Sequence, residues 1–410
     1  MEINATETVV LDGGDSEFVT GAFSAVQPGA EGDAGDVTIT TRSLEVINGA
    51  QVSADTFGKG NAGSVEINAT ETIVLDRGDS EYLTGVFSDV NREAEGDAGG
   101  VTITTGSLFV KNGAEISAST QGQGDAGNIF ITTETQLTIN ENAQISAFTE
   151  SSGIGGNIIL FAPETLNITD NGQITVRSSG SGKAGQIDIL SPNITLSDGI
   201  DITAFTTGLG NAGDINLEGD QINIQPNTQI LAFTENTGEG GNITVKATET
   251  LNLQADTQLS VETNRGGKAG NIEITTPQLT IGENAQRSAT VNLGATTTDP
   301  GGNITINTNQ LNIAGELGIF AETEATADAG VLTLSPYKTN PNLDINFTNQ
   351  GFISASTSST GNGGNINLTA PESINIKGDG NISVQTTDKG NAGAINIGTQ
   401  NLTLSDGVAI

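Results

Sequence analysis

Cysteine and histidine are both missing from the 410 residues. Without cysteine there is no disulfide and no thiolate metal site; without histidine the commonest metal ligand and general base is gone. The lack of cysteine is neutral between a reducing compartment and export, because a chain threaded unfolded through an outer-membrane pore also does well without disulfides. Positive charge is scarce too: 14 Lys plus Arg stand against 49 Asp plus Glu, a formal net charge of -35. A surface this acidic repels nucleic acid and anionic membrane and favours divalent cations. No apolar run is long enough for a transmembrane helix, and no signal-peptide pattern is present. Tryptophan is absent, with 13 Phe and two Tyr the only aromatics.

What the chain has is a repeat. Its plainest copy is Gly210-Asn211-Ala212-Gly213-Asp214-Ile215-Asn216-Leu217, a glycine turn followed by an aliphatic-x-aliphatic strand. The second glycine returns at 13 positions: Gly35, Gly63, Gly99, Gly127, Gly156, Gly185, Gly213, Gly241, Gly270, Gly302, Gly330, Gly364 and Gly393, mostly 28 or 29 residues apart. Two residues after each stands a branched aliphatic, and two further on another. Units too small to bury a core alone, repeated at a fixed period, mark a stacked solenoid. One continuous domain over 1–410 is therefore expected, with a tandem duplication at an offset of 64 in 1–127 and further rungs in 128–410. Met1 stands where a core valine belongs, and Gly407-Val408-Ala409-Ile410 stops as a third strand begins, so the chain reads as a fragment lacking both polar caps.

Period-two alternation gives three short strands per regular rung. Strand A is Val37-x-Ile39, strand B is Leu44-x-Val46, and strand C is Ile-x-Ala or Ile-x-Val, as in Ile116-Ser117-Ala118 and Ile174-Thr175-Val176. Strand B begins nine or ten residues after the glycine, while strand C precedes the next glycine by nearly always 11, so the slack lies between A and B. The expected fold is all-β: a single-stranded right-handed parallel β-helix of about 14 rungs, a rod of roughly 65 Å at ~4.8 Å per rung. Asn242, Asn271 and Asn303 follow the glycine in successive rungs, where their amides could hydrogen-bond along the axis. Arg287 occupies an inward aliphatic position of strand C; a local register shift beside the long loop between Val291 and Gly302 is expected, because an unpaired buried charge costs several kcal/mol. Pro336 to Asn342 lengthens an A-to-B turn.

With the glycine turn, the I-x-I strand and the strand C text GAQVSADT and NAQISAFT in view, the chain resembles the filamentous-haemagglutinin-like exoproteins of two-partner secretion systems, most closely the repeat regions of large cyanobacterial members. The resemblance implies a right-handed parallel β-helix, export through an outer-membrane pore transporter, and a secreted or cell-surface location. It implies a non-enzymatic stalk and adhesive surface that meets a glycan or protein of a host, a neighbouring cell or the matrix. The family's secretion domain is not identifiable here.

Parallel β-helices also host polysaccharide lyases and hydrolases, whose sites gather carboxylates or a base on one stretch of the outer face and break the repeat. Here the densest acidic pairs, Asp15 with Glu17 and Asp79 with Glu81, are copied in tandem and read as loop chemistry. Neither catalytic residues nor a metal or other cofactor is assigned; calcium at these loops is the weaker reading, since the nonapeptide of calcium-loaded β-rolls is absent. One outward column is more than polar. Three residues after the start of strand C stand Phe148, Arg177, Phe205 and Phe233, where other rungs have Asp55, Ser119, Glu262, Glu322 and Gln385. Stacked at ~4.8 Å, they could form an aromatic and guanidinium ligand patch, though the favoured reading is that the glycine-rich segment after strand C folds back over the rings and makes them satellite core.

Overall fold

Alternating aliphatic residues two apart have one way to bury a single face, which is to stack on their equivalents in the next turn. A computed structural model, describing residues 1–288, 301–315, 318–324 and 326–410, shows that arrangement: a parallel β-helix of about 13 turns with no α-helix among the described residues. Two compact units are recognised, Met1–Thr195 with Gly199–Gly213, and Leu196–Asp198 with Asp214–Ile410. The same rung builds both.

In the first unit a rung runs from Val37–Ile47 through a tight turn to Gln51–Ser53. Val37, Ile39, Leu44, Val46, Val52 and Ala54 all point inward with no exposed surface. Each stacks on its counterpart, so that Val37 pairs with Val65, Val65 with Val101, and Val101 with Ile129. Burying one such side chain is worth about 1.5–3 kcal/mol, repeated along every inward column. Strands A and B run on as one bent strand in Val37–Ile47, Val65–Asp76, Val101–Lys111 and Ile129–Ile139, and stay separate, as expected, in rungs such as Ile158–Phe161 with Thr165–Ile168. The bend carries the length variation, with register shifts between Thr41 and Ser43, Ala69 and Thr72, and Thr133 and Gln136. Strand C lies in a separate sheet.

Two corners close the rung by different means. Between B and C, Asn48 and Gly49 adopt left-handed backbone (φ 53° and 87°), and Ala50 N–H donates back to Ile47 O at 3.1 Å. Asparagine and glycine tolerate that conformation best. The repeat-marking glycines are not left-handed at all. They are small because the rungs touch there: a Cβ on Gly127 would lie 1.3 Å from Gly99 O, and one on Gly185 would lie 1.9 Å from Gly156 O. The N–H groups of Gly127 and Gly156 also donate to Ala118 O and Ala147 O of their own rungs, at 2.9 and 3.1 Å. That tie fixes the count of 11 between strand C and the glycine. Buried hydroxyls support the same segment, Thr149 Oγ1 donating to Gly124 O at 3.1 Å and Thr206 Oγ1 to Gly210 O at 2.7 Å.

The second unit repeats the scheme. Ile215–Ile224 and Ile243–Leu253 run unbroken through the A-to-B corner, whereas the next rung divides into Ile272–Thr275 and Gln278–Ile281. The asparagine column forms as expected: Asn271 Nδ2 donates to Asn242 Oδ1 at 3.1 Å, and Asn303 N–H to Asn271 Oδ1 at 3.0 Å. The register shift expected at Arg287 is not found. Gln286–Ser288 pairs in step on both sides, Arg287 opposite Leu259 and Ile319, because ladder hydrogen bonds of flanking rungs hold the backbone whatever the side chain. The long loop between Val291 and Gly302 lies mostly outside the described residues. The Pro336 to Asn342 turn is present, with Lys338 Nζ 4.6 Å from the Tyr337 ring centre.

Candidate binding face

Strand C presents outward the residues that alternate with its inward aliphatics, and in the first unit three successive rungs make it unusually long. Gln144–Thr149, Gln173–Ser178 and Asp201–Thr206 are six residues each, where Gln51–Ser53 and Glu115–Ser117 have three. In these rungs of the first unit the strand's length goes with the outward residue three positions after its first inward aliphatic. Where it is Asp or Ser, its oxygen accepts the next rung's N–H: Asp55 Oδ1 from Asp89 N (2.8 Å), Asp89 Oδ1 from Ser119 N (2.7 Å), Ser119 Oγ from Phe148 N (3.2 Å). Short polar side chains compete with the backbone ladder in this way. Phe148, Arg177 and Phe205 cannot accept, so the ladder continues through them in register.

These three side chains come together as expected. The Arg177 guanidinium lies between two rings, 4.8 Å from the Phe148 centre and 5.9 Å from that of Phe205. Its Nη2 is 3.5 Å from Glu150 Oε1, and the other oxygen of that carboxylate, Oε2, is 3.8 Å from Arg92 Nη2. Arg177 Nε is buried without a hydrogen-bond partner, so the flanking π faces are what compensate its lost hydration. The Arg177 side chain keeps 29% of its surface exposed, and both rings are half-buried. The glycine-rich segment therefore does not cover them. Phe233, the fourth residue of the expected column, belongs to the second unit and is half-buried there, two residues beyond Gln229–Leu231.

Beside Phe148 the same face opens into a cleft of about 190 Å³ that the sequence did not reveal. Phe57, Phe87, Phe148 and Leu83 wall it, and Asp55, Asp89, Glu115 and Ser117 line it with Gln51, Asn91 and Gln121. Leu83 comes from the duplicated loop, held by Gln51 Nε2 donating to its carbonyl at 3.0 Å. Burial pushes the Asp89 carboxyl well above the usual range, with the Asp55 charge adding to it against hydrogen bonds from Ser119 and Ser117. Burial likewise raises Asp55 and Glu115. The side-chain amides of Asn91 and Gln121 make no hydrogen bond among the described residues.

The acidic loops have a structural root. Asp76 accepts from Gly78 N (2.9 Å) and Asn112 Nδ2 (2.7 Å) and meets Lys111 Nζ at 2.9 Å. Asp12 repeats the first two contacts with Gly14 and Asn48, both at 2.9 Å. The two loops touch through Tyr82 OH donating to Glu17 O at 3.2 Å. Among the described residues no three acidic side chains converge closely enough to hold a metal ion, and no helix is long and apolar enough to cross a membrane. No family model, no curated protein and no solved structure matches the chain.

Proposed function

We propose that this chain is a non-enzymatic stalk and adhesive segment of a secreted or cell-surface exoprotein of the filamentous-haemagglutinin-like kind. The outward face of strand C in the first unit is its contact surface. The observation that carries this reading is the half-buried stack of Phe148, Arg177 and Phe205 on the outward face of strand C. A guanidinium held between two rings is preorganised, so little side-chain entropy is lost when a partner covers it. Aromatic and arginine side chains of this sort anchor interfaces. The partner is a glycan or protein of a host, a neighbouring cell or the matrix, and the chain reaches it by way of an outer-membrane pore transporter. The repeat text supports that route. Beads coated with the chain should be retained on cell layers or extracellular matrix. Retention no greater than for beads coated with an unrelated acidic protein refutes the reading.

One observation favours a second reading, a carbohydrate-active β-helix enzyme. Asp55 and Asp89 stand on adjacent rungs in the cleft with Asp89 held protonated to higher pH, and pairs of carboxyls with unequal pKa values serve as acid and base in glycoside chemistry. Release of reducing ends from a polysaccharide by the chain, abolished in Asp89→Asn, would establish it in place of the first.

A further inference from the structure

We infer that the cleft beside Phe148 is a saccharide subsite, taking one hydroxylated ring of a glycan against Phe57 and Phe87 with Asn91, Gln121 and Asp89 on its hydroxyls. The inference deepens the adhesive reading and rests on it. Three features of the cleft select this class of ligand. Three aromatic rings wall it while polar side chains line the rest, which suits a ring that has an apolar face and a hydroxylated edge. Asn91 and Gln121 offer uncommitted amides, each with donors and an acceptor. A polyhydroxyl ring needs both, whereas an ammonium or a metal ion needs acceptors alone.

The carboxylates point the same way. Asp89 Oδ1 already accepts from Ser119 N–H and Ser117 Oγ, and Asp55 from Asp89 N–H and Ser53, which leaves few carboxylate lone pairs for a ligand. That suits single hydroxyl contacts and does not surround a cation. The cleft also adjoins the Arg177 stack through Phe148, so a second sugar or an acidic substituent of the same glycan would reach the guanidinium.

The test uses the whole chain, fluorescently labelled, on a printed array of neutral, acidic and amino oligosaccharides, followed by calorimetric titration of whichever is retained. Retention is expected, with affinity falling at least ten-fold in the Asn91→Ala, Gln121→Ala double variant. Neither amide supports the fold, so circular dichroism and melting should be unchanged in that variant. An array with no retained oligosaccharide overturns the inference, as does wild-type affinity in the double variant. Binding of a simple diamine such as cadaverine at this cleft in place of sugar also overturns it. A blank array with beads still retained on cells removes the subsite and leaves the adhesive surface standing; oligosaccharide binding without bead retention supports the subsite and removes the adhesive role.

Discussion

Replacing Gly185 by alanine should damage the solenoid more than any surface change of one methyl has a right to. The new Cβ would stand 1.9 Å from Gly156 O and 2.5 Å from its carbonyl carbon. Ordinary contact needs well over 3 Å, so one rung must move off the next by more than an ångström. Overpacking against backbone costs about 1–3 kcal/mol. The shift also strains the ladder bonds on either side, such as Ile158 N–H to Gln186 O at 2.9 Å, each worth about 1 kcal/mol net. A loss of roughly 3–5 kcal/mol is expected, since these two terms add. Gly398→Ala is the matched control, because its Cβ would meet only the Thr369 side chain, Cγ2 at 3.8 Å and Oγ1 at 3.9 Å, and a change within about 0.5 kcal/mol is typical of such surface sites. Unfolding in solenoids can proceed piecewise, so local stability is best read by hydrogen exchange of amides 156–190 in the first variant and 366–400 in the control. Equal protection in Gly185→Ala and wild type would refute the close-approach explanation of the repeat glycine.

Further outcomes follow from the same geometry. Asp89, Asp55 and Glu115 have carboxyl pKa values raised by burial, with Asp55 also facing Asp89 and Arg77 facing Glu115. The folded state therefore binds their protons more tightly than the unfolded chain, and their contribution is full below the ordinary carboxylate range and lost as pH rises through the raised values. Asp89→Asn, which keeps the Oδ1 acceptor, should melt higher than wild type at pH 8, with the difference shrinking toward pH 4 as measured by differential scanning calorimetry; a gap independent of pH contradicts this. Thr206→Val should cost about 1–3 kcal/mol by leaving the Gly210 carbonyl without its buried donor, measurable as earlier exchange in 206–213. Arg177→Gln should lose about 0.5–2 kcal/mol of cation-π energy, seen as a small drop in melting temperature at unchanged circular dichroism.

The fold was legible because periodicity speaks directly to which residues face inward. Inward columns such as Val37, Val65 and Val101 and the A-to-B slack could be read from spacing alone, and so could the asparagine column. The merging of A with B could not, because whether a corner breaks a strand depends on backbone bonding and not on side-chain alternation. The Arg177 stack was visible since Phe148, Arg177 and Phe205 recur at the regular interval. The cleft was hidden by the long rungs: the marker glycines Gly63 and Gly99 lie 36 residues apart, so Asp89 does not fall where the 28-residue count looks for the partner of Asp55. Leu83 reaches the cleft from a loop whose tandem copies made it look like solvated padding. Arg287 misled for the opposite reason, since the charge of one side chain outweighed, in the reading, a register that the neighbouring rungs enforce.

The most direct test of the adhesive claim compares bead retention on cell layers for wild type, Arg177→Gln and Phe205→Ser. All three should be held at a temperature where circular dichroism shows each to be fully folded. Retention at least ten-fold weaker in both variants is the expected result, because Arg177→Gln removes the centre of the Phe148–Arg177–Phe205 sandwich and Phe205→Ser one of its two rings. Equal retention across the three proteins would show that this face of strand C is not the contact surface.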